Sequence, residues 1–217
     1  MDADDRALLT ATVDQAVAAC HGADADAVLG GLGWHDLLAA EPTEAVAVVF
    51  TALGRENARS RCLADVVATA LGAAPGTGVV LPAHGGSRPP GLRTDAGVSV
   101  DGLVLAPTAG PLLVACDDGS VVEIDPGGLT IREVEGIDPT LGLAMVTGEV
   151  RVLTEVGPAP WDEAVDAARL ALAHELAAAA RVMLALARDH AVDRVQFGRP
   201  IASFQAVRHR LAEALIA

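Results

Sequence analysis

Arg194-Val195-Gln196-Phe197-Gly198-Arg199-Pro200-Ile201-Ala202-Ser203-Phe204-Gln205-Ala206-Val207-Arg208-His209 joins two helical patterns and decides how the C-terminal part of the chain turns. The stretch before it is rich in Ala and carries apolar residues at steps of three, four and seven. Val165, Leu172, Leu176, Ala179, Met183 and Leu186 form one stripe; Leu170, Ala173, Ala177 and Leu184 form a second. A helix with two apolar stripes is expected to be packed on two sides, as in a bundle. Gly198 interrupts that helix, and Pro200 suits the first position of the next one. Ile201, Phe204, Val207, Leu211 and Leu215 then form the expected buried face. The pattern is still helical at Ala217, so a partner or a further segment is expected to cover this face.

Upstream, residues 74–157 change character. Gly and Pro become frequent and short β-type runs appear: Gly102 to Ala106, Leu112 to Ala115, and Leu143 to Leu153. Val121-Val122-Glu123-Ile124 and Leu129-Thr130-Ile131-Arg132 flank Asp125-Pro126-Gly127-Gly128, which predicts a hairpin. Regular short strands of this kind predict a small barrel or sandwich. Residues 82–91, with His84-Gly85-Gly86-Ser87-Arg88 among them, read as an irregular loop.

Residues 1–73 read as helices. Val46, Val49, Phe50 and Leu53 share one helical face, Pro42 suits a first turn and Gly72 an end. Trp34 and Trp161 are placed to anchor helix starts. The fold class expected is α+β: N-terminal helices (1–73), a small barrel-like β domain (74–157) and an incomplete C-terminal helical bundle (158–217).

Composition narrows the function. The 217 residues carry a formal net charge of −14, which opposes docking on phosphate backbones or anionic lipid. Aromatic residues are 2%, with no Tyr, so nucleic-acid binding by stacking is not expected. No uninterrupted apolar run reaches membrane-spanning length, and the acidic start is unlike a signal peptide. Cys20, Cys62 and Cys116 have no metal-ligand spacing and read as buried thiols in a cytoplasmic protein. His174-Glu175 lacks the second His of a zinc motif, since position 178 is Ala. Gly30-Gly31-Leu32-Gly33 lacks the preceding strand of a dinucleotide fingerprint and reads as a turn.

The segment Arg194 to His209 resembles the acyl-CoA dehydrogenase pattern R-x-Q-F-G-x-P-I-x-x-F-Q-x-x-x-H, which joins two helices of that family's C-terminal bundle. Weaker similarity reaches upstream: Leu112 to Val152, with Asp138-Pro139-Thr140, resembles the later β strands, and Gly33 to Gly72 resembles late helices of the N-terminal domain. The resemblance implies FAD-dependent α,β-dehydrogenation of an acyl-CoA thioester, with electrons passed to an electron-transfer flavoprotein. It implies an oligomer, because the family's flavin lies between two subunits. Arg194 matches the Arg that reaches the FAD diphosphate of the neighbouring subunit; Gln196, Phe197 and Gln205 match further FAD contacts; Arg169 matches an Arg lining the acyl site. A guanidinium fork suits phosphate oxygens.

The same comparison leaves the catalytic base unassigned. Counting back from Phe197, the family's base position falls on Ala168, which cannot accept a proton. The family's alternative base lies beyond the last bundle helices. The flavin-loop pattern T-E-x-x-x-G-S-D is not matched by His84-Gly85-Gly86-Ser87-Arg88. Three readings follow: a truncated member, one chain of a heteromer whose sister supplies the base, as in actinobacterial steroid dehydrogenases that pair active and degenerate subunits, or a non-catalytic homologue. Each site residue has a plainer alternative: an ion pair of Arg194 with Asp189 or Asp193, a helix-corner plug for Phe197, turn caps for Gln196 and Gln205, an Asp166 pair for Arg169, and helix packing for His209.

Overall fold

A computed structural model describes residues 2–74, 76–105, 110–136, 141–158 and 160–216. Five helices come first: α1 (Ala3–Ala18), α2 (Asp26–Gly31), α3 (Trp34–Ala40), α4 (Pro42–Glu56) and α5 (Cys62–Ala70). Nine strands follow: β1 (Gly78–Val79), β2 (Leu81–Pro82), β3 (Gly91–Thr94), β4 (Gly97–Leu105), β5 (Leu112–Ala115), β6 (Ser120–Ile124), β7 (Thr130–Glu133), β8 (Leu143–Val150) and β9 (Val152–Pro158). The long helix α6 (Trp161–Asp193), the ribbon strands β10 (Val195–Gln196) and β11 (Arg199–Pro200), and α7 (Gln205–Ile216) complete the chain. Asp138-Pro139-Thr140 and Ala106, used in the sequence reading, lie outside the described residues.

The helical core behaves as its periodicity predicts. Val46, Val49, Phe50 and Leu53 are all buried on α4, and Pro42 opens that helix. Trp34 begins α3, sets its ring edge-on to Phe50 at 6.4 Å, and donates its indole N–H to Asp65 at 2.8 Å. Asp65 also accepts the Gly76 N–H at 2.7 Å and lies 3.3 Å from His35 Nε2. One buried carboxylate thus ties α3 and α5 to the first residues of the β region. Its lone pairs are used, which is the condition under which a buried charge is tolerated.

The strands form two sheets, ordered β1-β5-β6-β9 and β2-β4-β8-β7, with β3 also pairing β4. Val114, Val122 and Ile124 of one sheet face Val98, Val100 and Val146 of the other in one apolar cluster. Leu113, Ala115 and Val121 on the opposite face of the first sheet pack on Val67, Ala68, Trp161 and Ala164. The order of layers is therefore helices, sheet, sheet. Each sheet keeps its own edges, and among the described residues there is no closed barrel.

The predicted hairpin at 121–132 does not form. β6 pairs with β5 and β9, whereas β7 pairs with β8 in the other sheet. Asp125 accepts the Gly127 N–H at 2.9 Å, and Pro126–Gly128 make a 3-10 turn that carries the chain from one sheet to the other. Burial gives the reason. Val121, Val122 and Ile124 are apolar on both faces, so β6 needs two neighbours, while β7 is exposed throughout and forms an edge.

The stripes read on α6 are also corrected. The buried residues are Trp161, Ala164, Ala171, Ala178 and Ala191, a third stripe made almost wholly of alanine. Leu176, Met183 and Leu186 are 69%, 63% and 65% exposed. The small stripe wins because it permits a closer helix approach. A Cβ on Gly54 of α4 would overlap the Glu175 carbonyl of α6. By length and composition α6 could also cross a bilayer, but Glu175 and Arg181 interrupt it and its alanine stripe lies against the chain's own helices.

Candidate functional site

Two features carry chemistry: a cavity beside the first half of α6, and the corner at its far end. The cavity encloses about 260 Å³ between α5, β2, β4 and α6. Val67, Leu103, Val165 and Leu172 make its walls apolar, and the loop from Ala83 to Ser87 forms its rim. Trp161, the first residue of α6, fixes that loop by donating its indole N–H to the Ser87 carbonyl at 2.7 Å. Ala168 and Arg169 both line the cavity. The position that resembles a base position is thus at the cavity wall, where alanine offers no proton acceptor. The ionisable side chains lining it among the described residues are His84 and Arg169. Arg169 lies 3.3 Å from Asp166 on its own helix, the ion pair that is its plainer reading.

Buried nucleophiles elsewhere are silenced. Burial pushes the Cys62 and Cys116 thiols up, which keeps both protonated at neutral pH. Burial likewise raises the Glu175 carboxyl above the usual range, where α6 crosses α4.

The corner is a two-stranded ribbon with no helical continuation. Val195 pairs with Pro200 and Gln196 with Arg199, and the Ile201 N–H reaches the Arg194 carbonyl at 2.9 Å. Phe197 and Gly198 are the two central turn residues, with φ of +53° and +77°. Positive φ at both positions is the pattern of a type I′ turn, whose usual first residue is Asn, Asp or Gly. Phe in that conformation is strained, and the ring it carries is 92% exposed. Pro200 therefore ends a strand instead of opening α7; Ile201–Ser203 form a 3-10 turn and α7 begins at Gln205. No residue of α7 is fully buried; of the predicted face, Ile201, Phe204, Val207 and Leu211 are half-buried and Leu215 is exposed.

Each remaining site residue can be placed. Arg194 caps α6 in extended conformation, and its guanidinium meets no carboxylate among the described residues. Asp189, one of its expected alternatives, is taken by Arg188 at 2.7 Å. Gln196 donates its side-chain N–H to the Val195 carbonyl at 2.9 Å and is exposed. Gln205 is exposed at the start of α7, and His209 is exposed one turn later. The Phe197 ring stands edge-on to Phe204 at 6.2 Å, and the Arg199 guanidinium lies 4.2 Å above the Phe204 ring. The structure thus gathers Arg194, Gln196 and Phe197 at one exposed corner and leaves Arg169 apart, at the cavity. Arg199 was missed by the sequence reading; strand alternation across Phe197-Gly198, had the ribbon been foreseen, puts it on the same face as Arg194 and Gln196.

Residues 161–217 match the family described as acyl-CoA dehydrogenase, C-terminal domain. A stretch of 86 residues is 41% identical to the acyl-CoA dehydrogenase IpdE2 of Mycobacterium tuberculosis, covering 39% of this chain and 26% of that protein. The chain therefore spans about a quarter of that relative's length. Among solved structures, a variant of the Tcur3481–Tcur3483 steroid ACAD superposes with a TM-score of 0.77 at 22% identity, over 98% of this chain and 73% of the other. The ChsE4–ChsE5 complex of Mycobacterium tuberculosis gives a TM-score of 0.68 at 21% identity, over 100% and 74%. At those identities the structural likenesses show the fold.

Proposed function

We propose that the chain, whose residues 161–217 match the acyl-CoA dehydrogenase C-terminal domain, is a member of that family and forms one face of a flavin site completed by a second chain, in an enzyme that dehydrogenates an acyl-CoA thioester. The observation that carries this is the strained corner. Phe197 is exposed at positive φ, its ring meeting only the edge of Phe204 among the described aromatic rings, beside a guanidinium that meets no carboxylate, and such strain persists where a ligand or partner uses it. The residues fit a dinucleotide: Arg194 offers a fork for phosphate, Gln196 an amide, and Phe197 a flat apolar face.

When bound, FAD supplies the hydride acceptor for the β-hydrogen. The rest falls to protein groups. The cavity beside α6 receives the acyl chain, its apolar walls excluding water. The α-proton has no acceptor at Ala168, so the base comes from a group outside the residues that line this cavity. The exposed Leu176, Met183 and Leu186 give the second chain an apolar surface to cover. The likeness to a steroid ACAD favours a steroid-derived acyl group, and free buried thiols favour the cytoplasm.

Ala168 favours a second reading, a non-catalytic subunit that only completes the partner's flavin site. The two separate in one experiment. Tagged chain purified from its native cells is assayed for bound flavin, a co-purifying dehydrogenase chain and dehydrogenation of a panel of acyl-CoA thioesters. Flavin plus a partner, with turnover lost when residues lining this chain's cavity are filled (Ala168→Trp), supports the first reading. Turnover indifferent to that change supports the second, and colourless protein with no partner contradicts both.

A further inference from the structure

We propose that Arg199 is the second arm of the anion site at the corner, aimed by Phe204; the inference rests on the flavin reading above. Three observations converge on it. First, the ribbon places the groups. Gln196 and Arg199 are cross-strand partners, and the Arg194–Ile201 hydrogen bond extends the same ladder by one step. Side chains alternate along a strand and paired residues share a face, so Arg194, Gln196 and Arg199 project on one side of the ribbon. Arg194 and Arg199 are then diagonal neighbours, about 7–8 Å apart with their Cβ atoms somewhat closer, within reach of one ligand for side chains of that length.

Second, the guanidinium of Arg199 is held in place. It rests 4.2 Å over the Phe204 ring, whose edge contact with Phe197 at 6.2 Å links it to the turn. A cation over an aromatic face is attracted by the ring quadrupole, which narrows the rotamers of a long exposed side chain. Phe204 is in this sense a positioning residue.

Third, the two charges are unanswered. Acidic residues number 29 against 15 Lys and Arg in this chain. Arg6, Arg55, Arg61, Arg93, Arg169, Arg188 and Arg210 each meet a carboxylate; among the described residues Arg88, Arg132, Arg151, Arg181 and Arg208 do not, and what sets Arg194 and Arg199 apart from these is their shared face of one ribbon. Neither Arg194 nor Arg199 lies within 4 Å of one among the described residues. Two like charges on one face of a two-residue ribbon repel each other, and an anion between them reverses the sign of that interaction. A diphosphate suits the pair: each guanidinium can take two oxygens of one phosphate.

The test uses the oligomer purified from native cells through a tag on this chain, stripped of flavin and titrated with FAD and, separately, with riboflavin, which lacks phosphate. Arg199→Ala is expected to weaken FAD binding by about 10- to 100-fold, as Arg194→Ala does, and to leave riboflavin binding unchanged. Arg199→Lys recovers part of the loss, because an ammonium keeps the charge without the fork. Phe204→Leu falls between wild type and Arg199→Ala, and Phe204→Trp restores binding. Normal FAD affinity in Arg199→Ala alongside a loss in Arg194→Ala overturns the second arm and leaves the flavin reading standing. No FAD binding in the wild-type oligomer, or no loss in either Arg variant, overturns both. Unchanged affinity in Phe204→Leu removes Phe204 from the account.

Discussion

From Trp161 to Ala178, α6 is a core helix: Trp161, Ala164, Ala171 and Ala178 are buried, Ala171 among the N-terminal helices and Trp161 and Ala164 against α5 and the first sheet. Beyond Ala178 only Ala191 is buried, and the helix runs out to a ribbon and to α7, where nothing is. The near half is positioned by close contact: alanines against helices, and a glycine at the tightest crossing. The far half is positioned by local geometry: a two-residue turn, a ring pair and a stacked guanidinium. Packing dictates the first and tolerates little change. The second keeps a strained residue in solvent, which packing does not require. The difference separates what the chain needs in order to fold from what the proposed flavin site needs.

The sharpest way to break that division is at the crossing. Gly54→Ala forces a methyl into the Glu175 backbone and is expected to cost about 3 kcal/mol, read as a lowered midpoint in urea unfolding. A neutral result would mean that α6 is not held against α4. Asp65→Ala leaves the Trp34 and Gly76 N–H groups without their buried acceptor and is expected to cost about 2 kcal/mol in the same measurement. At the far end the sign reverses. Phe197→Gly relieves the positive φ and is expected to stabilise the fold by about 0.5–1 kcal/mol while weakening FAD binding. A loss of stability would make Phe197 a structural plug.

The smallest effect is a pH dependence. The Glu175 carboxyl is raised in the folded state by burial, so the folded chain holds that proton more tightly than the unfolded one. Its contribution is fully present below the ordinary Glu range and is lost as pH rises through the raised value. Glu175→Gln is therefore expected to raise the melting temperature at pH 7 and to leave it unchanged near pH 4. An equal gain at both would assign the effect to something other than ionisation.

The α+β order was legible in the sequence because the period of its apolar residues changes twice. Val46, Val49, Phe50 and Leu53 found their face by spacing alone. The Arg194 to Phe197 run pointed to the corner by resemblance. What sequence could not give was competition between surfaces. The leucine stripes of α6 score as more apolar than its alanines, yet helix approach favours the smaller side chains, and only a partner helix at Gly54 reveals that. The Asp125–Gly128 turn was read correctly as a turn, but its destination depended on which strands had two buried faces, a property of the sheet. Arg199 escaped notice because its face is set by a ribbon too short to have a period. The cavity at Ala168 could be foreseen as a position and not as a space, since its other wall comes from residues more than 60 positions away.

The most direct test of the central claim is the FAD affinity of the protein purified from native cells with Arg194→Ala in this chain. The account predicts a loss of about 10- to 100-fold with an unchanged melting temperature of the flavin-free protein. Affinity equal to wild type would contradict it, and would reduce the corner to a feature of descent with no part in holding the cofactor.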